Sequence, residues 1–224
     1  MVRIWQFSAD VHWRMCDDPR FGYSWVERWG AYPLHWDVDG VPIVVMAGDY
    51  DCSSSSITAW RIAMRAAGFE NPLPDASYTG NMRAAFLATG LFEWRTDFAN
   101  AQPGDLYLNE GLHVAMCQGG GRLSEFSSSE TGGTSGQRGD QTGWESHVTG
   151  YYSYPWDGYL HCTSDIEIGD DMAISTQDKK DIARMTAEEL LNRSLAVSGE
   201  KAPVPFWQLV SWTYRYAKDL AGRK

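Results

Sequence analysis

The chain has no run of the about 18 apolar residues that a membrane-spanning helix needs. Its opening residues, Met1-Val2-Arg3-Ile4-Trp5-Gln6-Phe7, lack the apolar stretch of a secretory signal peptide. The expectation is a protein made in a cytosol, with no membrane insertion. Basic residues are also short: 19 Lys and Arg stand against 29 Asp and Glu, for a net charge of −10. Phosphate backbones are held by clustered cations, so this balance excludes a nucleic-acid partner. Cysteine is sparse. Cys16, Cys52, Cys117 and Cys162 lie far apart with no Cys-x-x-Cys pair, which points away from a zinc site and from a disulfide framework. Free thiols and no metal or other cofactor are expected, and no internal repeat of about 20–50 residues is present.

Aromatics, by contrast, are plentiful. The 11 Trp and 11 Tyr among 224 residues are unusually many and suggest exposed aromatics beyond packing needs; such rings line carbohydrate and peptide grooves, but they also fill small α+β cores. Charge is unevenly spread. Residues 1–170 carry 10 Lys and Arg against 22 Asp and Glu, whereas residues 171–224 carry 9 against 7. The change coincides with a change of pattern near Gly169-Asp170-Asp171, so a first domain over 1–170 and an extension over 171–224 are expected.

Periodicity predicts a helix over 5–18 that ends before Pro19, then a loop through Arg28-Trp29-Gly30, and a hairpin or insertion over 31–50. Ile57, Trp60, Met64 and Ala67 recur at helical spacing after Cys52, with Gly68 as a stop. A further helix spans about 81–88. Strands follow at 91–95, 105–109, 113–118 and 122–127, with Gly119-Gly120-Gly121 as a hairpin signal. Residues 128–143 read as a Ser/Thr/Gly-rich loop, and 151–162 as a closing aromatic strand. The tail predicts a helix over 176–196 and another over 206–220. The second is apolar on two faces and needs a partner surface. The fold class is therefore α+β: N-terminal helices on an antiparallel sheet of about five or six strands, plus a C-terminal helical pair.

Cys52, in Asp51-Cys52-Ser53-Ser54-Ser55-Ser56, opens a helix. Unpaired amides and the positive end of the helix dipole favour thiolate there, and thiolate is the nucleophile. The competing reading is a half-buried structural cysteine. Cysteine hydrolases also need a base and a group that orients the base. His113 opens one strand and Glu125 lies on the next. A three-glycine loop with Gln118 opposite Arg122 puts Ala115 opposite Glu125, making His113 and Glu125 diagonal neighbours on one face. A plain two-residue loop would put them on opposite faces. His12, His35, His147 and His161 have no comparable setting and read as surface or hydrogen-bonded structural histidines.

Two blocks resemble a known family. Gly22-Tyr23-Ser24, Arg28-Trp29-Gly30 and Asp49-Tyr50-Asp51-Cys52-Ser53-Ser54 look like the opening of phage endolysins among the NlpC-like papain-fold peptidases. The second block is Ser124-Glu125-Phe126-Ser127, Glu130-Thr131-Gly132-Gly133 and Gly139-Asp140-Gln141-Thr142-Gly143, closing on Tyr151-Tyr152 and Pro155-Trp156-Asp157-Gly158. The resemblance implies a papain-like fold and a bacteriolytic peptidoglycan hydrolase of bacteriophage type. Cys52 would be its nucleophile, His113 its general base and Glu125 the orienting group, with Tyr23, Asp51 and Ser53 at substrate-groove positions. It implies hydrolysis of an amide in the wall's stem peptide, by an endopeptidase or by an N-acetylmuramoyl-L-alanine amidase on the same site. A non-catalytic wall-binding protein is the alternative from another class. A phage enzyme of this kind waits in the host cytoplasm until lysis. The tail over 171–224 then targets the wall or self-associates into a homo-oligomer, or docks on its own first domain.

Overall fold

The helix expected over 5–18 forms over Ile4–Asp17, with Ile4, Phe7, Val11 and Met15 buried along one stripe. It belongs to a computed structural model that describes residues 1–169. The helical pair and extension expected over 171–224 lie outside the described residues. In chain order the elements are β1 (Val2–Arg3), α1 (Ile4–Asp17), β2 (Phe21–Tyr23), β3 (Tyr32–Val38), β4 (Val41–Tyr50), α2 (Cys52–Ala66) and α3 (Thr79–Leu87). Next come β5 (Phe92–Arg95), a 3-10 turn (Phe98–Asn100), β6 (Leu106–Asn109), β7 (His113–Gly119), β8 (Arg122–Phe126), β9 (Ser146–Gly150), β10 (Gly158–Cys162) and β11 (Glu167–Ile168). No described helix is long and apolar enough to cross a membrane.

The architecture is α+β. Six strands form one sheet in the order β5-β10-β6-β7-β8-β9, every neighbouring pair antiparallel. The ambiguous stretch over 31–50 is a hairpin: β3 and β4 pair antiparallel from Tyr32–Ala47 to Val38–Val41. Its turn, Asp39-Gly40, has positive φ at both residues, as a type I′ turn requires. β2 joins this hairpin by pairing parallel to β4.

Alternation along β7 and β8 divides the sheet into two faces. Val114, Met116 and Phe126 enter the main core with Phe7, Val11, Ile57 and Trp60. Ala115, Cys117 and Leu123 enter a second cluster with Tyr107, Trp156 and Tyr159. Trp60 anchors α2 in the main core: it is fully buried, crosses Phe92 edge-on at 4.7 Å, and its indole N–H donates to Gly104 O at 3.0 Å.

Two sequence expectations are corrected. The aromatic run over 151–162 is a strand only from Gly158. Pro155 has no N–H for a ladder, and Tyr152, Tyr154 and Trp156 instead cover the second face of the sheet. The sixth strand, β9, arises at the end of the long loop, from a segment not expected to be a strand. Of the aromatics expected at the surface, Trp25, Tyr78, Trp144 and Tyr151 are exposed.

Candidate active site

The first turn of α2 is held by a capping box. Asp51 accepts from the Ser54 amide at 2.7 Å, while Ser54 Oγ accepts from the Asp51 amide at 2.9 Å. Ser53 Oγ donates to Asp51 at 2.9 Å. The Arg28 guanidinium closes the turn from outside: its Nη2 donates to Ser53 Oγ at 2.9 Å, and its Nε lies 2.9 Å from Asp51 Oδ2. That second contact is an ion pair without hydrogen-bond alignment. The cap leaves Cys52 as the first helical residue, 8 % exposed.

A second set of contacts braces the same turn from inside. Gln118 Nε2 donates to Ser124 Oγ at 2.6 Å, and Ser124 Oγ lies 2.6 Å from His12 Nδ1. His12 Nε2 lies 3.1 Å from Ser55 Oγ, which donates to the Cys52 carbonyl at 3.0 Å. One assignment satisfies every donor: Ser124 donates to Nδ1, and a neutral His12 donates from Nε2 to Ser55. Complete burial lowers the His12 pKa from 6.5 to about 3 against the opposing pull of Glu125, which keeps the ring neutral. His12 is thus a structural histidine, of the kind the sequence reading allowed.

The register places Met116 opposite Ser124 and Cys117 opposite Leu123, then shifts so that Gly119 pairs with Arg122. The expected pairing of Gln118 with Arg122 is therefore corrected. The chain makes a two-residue Gly120-Gly121 turn, both residues at positive φ, and bulges Gln118 out of the ladder. The extra residue restores the register that a bare two-residue turn would have lost. Ala115 then stands opposite Glu125, and His113 and Glu125 share a face.

His113 Nε2 lies 2.8 Å from Glu125 Oε2, and the Cys52 side chain is the ring's other polar neighbour. Burial alone would lower the His113 pKa, but hydrogen bonds to Cys52 and Glu125 outweigh it and raise the value from 6.5 to about 9. Burial likewise disfavours the Glu125 carboxylate, yet His113, His147 and Tyr152 together hold its pKa far below the usual range. Tyr152 donates to Glu125 Oε2 at 2.6 Å. His147 Nε2 stands 3.2 Å from Oε1. Trp156 stacks on the His113 ring at 5.9 Å and Tyr154 meets it edge-on at 5.7 Å.

The expected triad residues are therefore brought together. Tyr23 is also near: burial, then the Cys52 and Asp51 charges, raise its pKa to about 12. Asp51 and Ser53 sit at the site but are 2 % exposed, with their polar atoms committed to the cap and Arg28. His35 is exposed, and His161 pairs with Asp105 at 2.8 Å, so neither joins the site. Sequence reasoning missed Arg28, His147, Tyr152, Tyr154 and Trp156 as site residues. The short run Val148-Thr149 before Gly150 was the one local sign of β9, and hence of where His147 points.

The long loop ties these parts together. The Gly139 amide donates to Asp49 at 2.8 Å, and the buried Glu145 carboxylate accepts from the Gln141 and Tyr23 amides at 2.8 and 3.1 Å. Among the described residues, no group of three or more His, Cys, Asp or Glu side chains is arranged to hold a metal ion.

A family model described as an endolysin-like domain matches residues 6–124. Among solved structures, the chain is similar to the peptidoglycan hydrolase RipB from Mycobacterium tuberculosis, at 20 % identity over 71 % of this chain and 65 % of that one, TM-score 0.39. It is also similar to the P60 domain of an antigen from M. avium subspecies paratuberculosis, at 18 % identity over 71 % of this chain and 96 % of that one, TM-score 0.38. The chain thus spans less than two thirds of the RipB chain's length. Comparison with curated proteins gives no match.

Proposed function

Because the chain belongs to the endolysin-like domain family, we propose that it is a peptidoglycan hydrolase that cuts an amide bond of the stem peptide with Cys52 as its nucleophile. The observation that carries this reading is the line of contacts from Cys52 through His113 to Glu125 at the start of α2.

In this mechanism His113 Nδ1 takes the Cys52 proton and the thiolate attacks the scissile carbonyl carbon. The developing oxyanion accepts from the Cys52 backbone N–H, which lies in the first turn of α2, where amides have no partner within the helix. Loss of one such donor typically costs on the order of 100-fold or more in rate. Collapse of the tetrahedral intermediate breaks the C–N bond, and His113 gives its proton to the leaving amine. Water, deprotonated by His113, then attacks the thioester; the stem-peptide acid leaves and the thiol is restored. Glu125 holds the imidazole in place and stabilises its charge. Tyr23 lines the groove, while Asp51, Ser53 and Arg28 fix the turn that presents the sulfur.

The bond we assign is a peptide bond within the stem, making the enzyme an endopeptidase. Mass spectrometry of digested muropeptides tests this, because stem cleavage and cleavage at the muramoyl amide expose different amino termini. Cys52→Ala is expected to abolish release of muropeptides; lysis by this variant at the parental rate would refute the nucleophile.

A further inference from the structure

We propose that His147 is a positioning residue held as an imidazolium, gripping Glu125 from the side opposite His113. The proposal rests on the reading of Cys52, His113 and Glu125 as the reacting set, and extends it to a fourth charged member.

His147 stands directly opposite Glu125 in the β8–β9 ladder, so the two side chains share a face. The carboxylate is divided between two rings: Oε2 faces His113 Nε2 at 2.8 Å and Oε1 faces His147 Nε2 at 3.2 Å. The other nitrogen of His147, Nδ1, lies 3.0 Å from the Trp144 carbonyl oxygen. Neither partner can donate: an ionised carboxylate and a backbone carbonyl only accept. A neutral imidazole has one N–H and one lone pair, so it would aim that lone pair at one of the two oxygens. Only the doubly protonated ring turns an N–H rather than a lone pair to both, donating from Nδ1 to the Trp144 carbonyl and forming from Nε2 an ion pair with Glu125 without hydrogen-bond alignment. The Trp144 ring, edge-on at 5.1 Å, holds the imidazole in this orientation.

The groups around His147 agree in sign. Glu125 on β8 and Asp140 in the long loop are anionic and favour the cation; burial opposes them, and the net effect raises the His147 pKa. Tyr152 approaches Glu125 as a neutral donor, and the Cys16 thiol of α1, whose pKa burial raises, meets the backbone of Glu125 and of His147. From β7, His113 acts through the carboxylate that both rings share. With Cys52 as thiolate, the set holds two anions and two cations and is neutral. Removing the His147 charge leaves a buried excess of negative charge, so His113 would bind its proton more tightly and release it less readily to the leaving amine.

Two measurements test this. In nitrogen-15 spectra of histidine-labelled wild-type protein at pH 7, both His147 ring nitrogens are expected to be protonated; a neutral tautomer there would overturn the proposal. His147→Gln keeps a donor towards Glu125 but has no charge. It is expected to move the alkaline limb of the pH–rate profile upward and to lower kcat several-fold with KM little changed. An active His147→Gln enzyme with an unmoved alkaline limb would also overturn it. If that variant does not fold, the wild-type spectrum decides alone. Failure of the broader reading looks different: Cys52→Ala would stay active whatever the spectrum of His147 shows.

Discussion

His113 meets Glu125 diagonally across β7 and β8, Nε2 to Oε2 at 2.8 Å, because Gln118 is bulged out of the ladder before the Gly120-Gly121 turn. Side-chain direction has a period of two, so a one-residue shift in the pairing decides whether the carboxylate faces the imidazole or the opposite core. With Gln118 present and a two-residue turn at Gly120-Gly121, the bulge is what prevents that shift.

Deletions in this hairpin should follow that parity. Removing Gln118 alone leaves Gly119 paired with Arg122 and Met116 with Ser124, so muropeptide release should survive at a reduced level as the links from Gln118 to Ser124 and Ala9 are lost. Removing Gln118 and Gly119 together brings Cys117 opposite Arg122 and turns Glu125 to the other face. Activity should then disappear, and assays of the two deletions side by side check the difference.

Glu125→Gln removes the charge that helps to raise the His113 pKa to about 9. A hydrogen bond to a charged group contributes about 1.5–3 kcal/mol, which corresponds to about one to two pH units. The alkaline limb of kcat/KM, set by loss of the His113 proton, should therefore move to lower pH by about that much. A pH–rate profile from pH 5 to about 10 measures it.

Acid should destabilise the fold through His12. Its pKa is about 3 when folded and buried, against an ordinary value of 6.5, so the unfolded chain binds the proton first. The contribution is complete above pH 6.5 and is lost as pH falls towards 3, at up to about 1.4 kcal/mol per pH unit. His12→Gln should be less stable at pH 7 but lose less on acidification. Urea unfolding of both proteins at pH 7 and pH 4.5 isolates the difference.

Gly22 lies where β2 passes under the long loop, and a Cβ there would meet the Gly139 carbonyl oxygen at 2.1 Å. Gly22→Ala must push that backbone away and strain the Gly139–Asp49 link. A loss of about 1–3 kcal/mol is expected, together with faster proteolysis within residues 128–145 and a raised KM, since Tyr23 is the next residue. Thermal melts and limited proteolysis check the first two effects, and steady-state kinetics the third.

The helix that presents Cys52 was legible because its causes are local: a helical stripe from Ile57 to Met64, a cap at Asp51, a stop at Gly68. The pairing of His113 with Glu125 was legible because alternation and a short glycine turn leave few registers. The exact turn was not, since Gln118 opposite Arg122 and the bulge that replaced it give the same pairing further along the strands. The expected strand over 151–162 failed at Pro155. Tyr152, Tyr154 and Trp156 became a wall over the sheet because that face, lined by Ala115, Cys117 and Leu123, needed covering.

By itself, then, the amino-acid order determined the setting of Cys52 and the pairing of His113 with Glu125, because each depends on contacts within a helix turn or between strands joined by a tight turn. Only the tertiary structure decided that Arg28 would close the Asp51 cap, that His12 would brace the Cys52 turn, and that His147 and Tyr152 would share Glu125. Those contacts join residues far apart in the chain, between 22 and 112 positions. Local propensity carries no information over such separations, and packing supplies it.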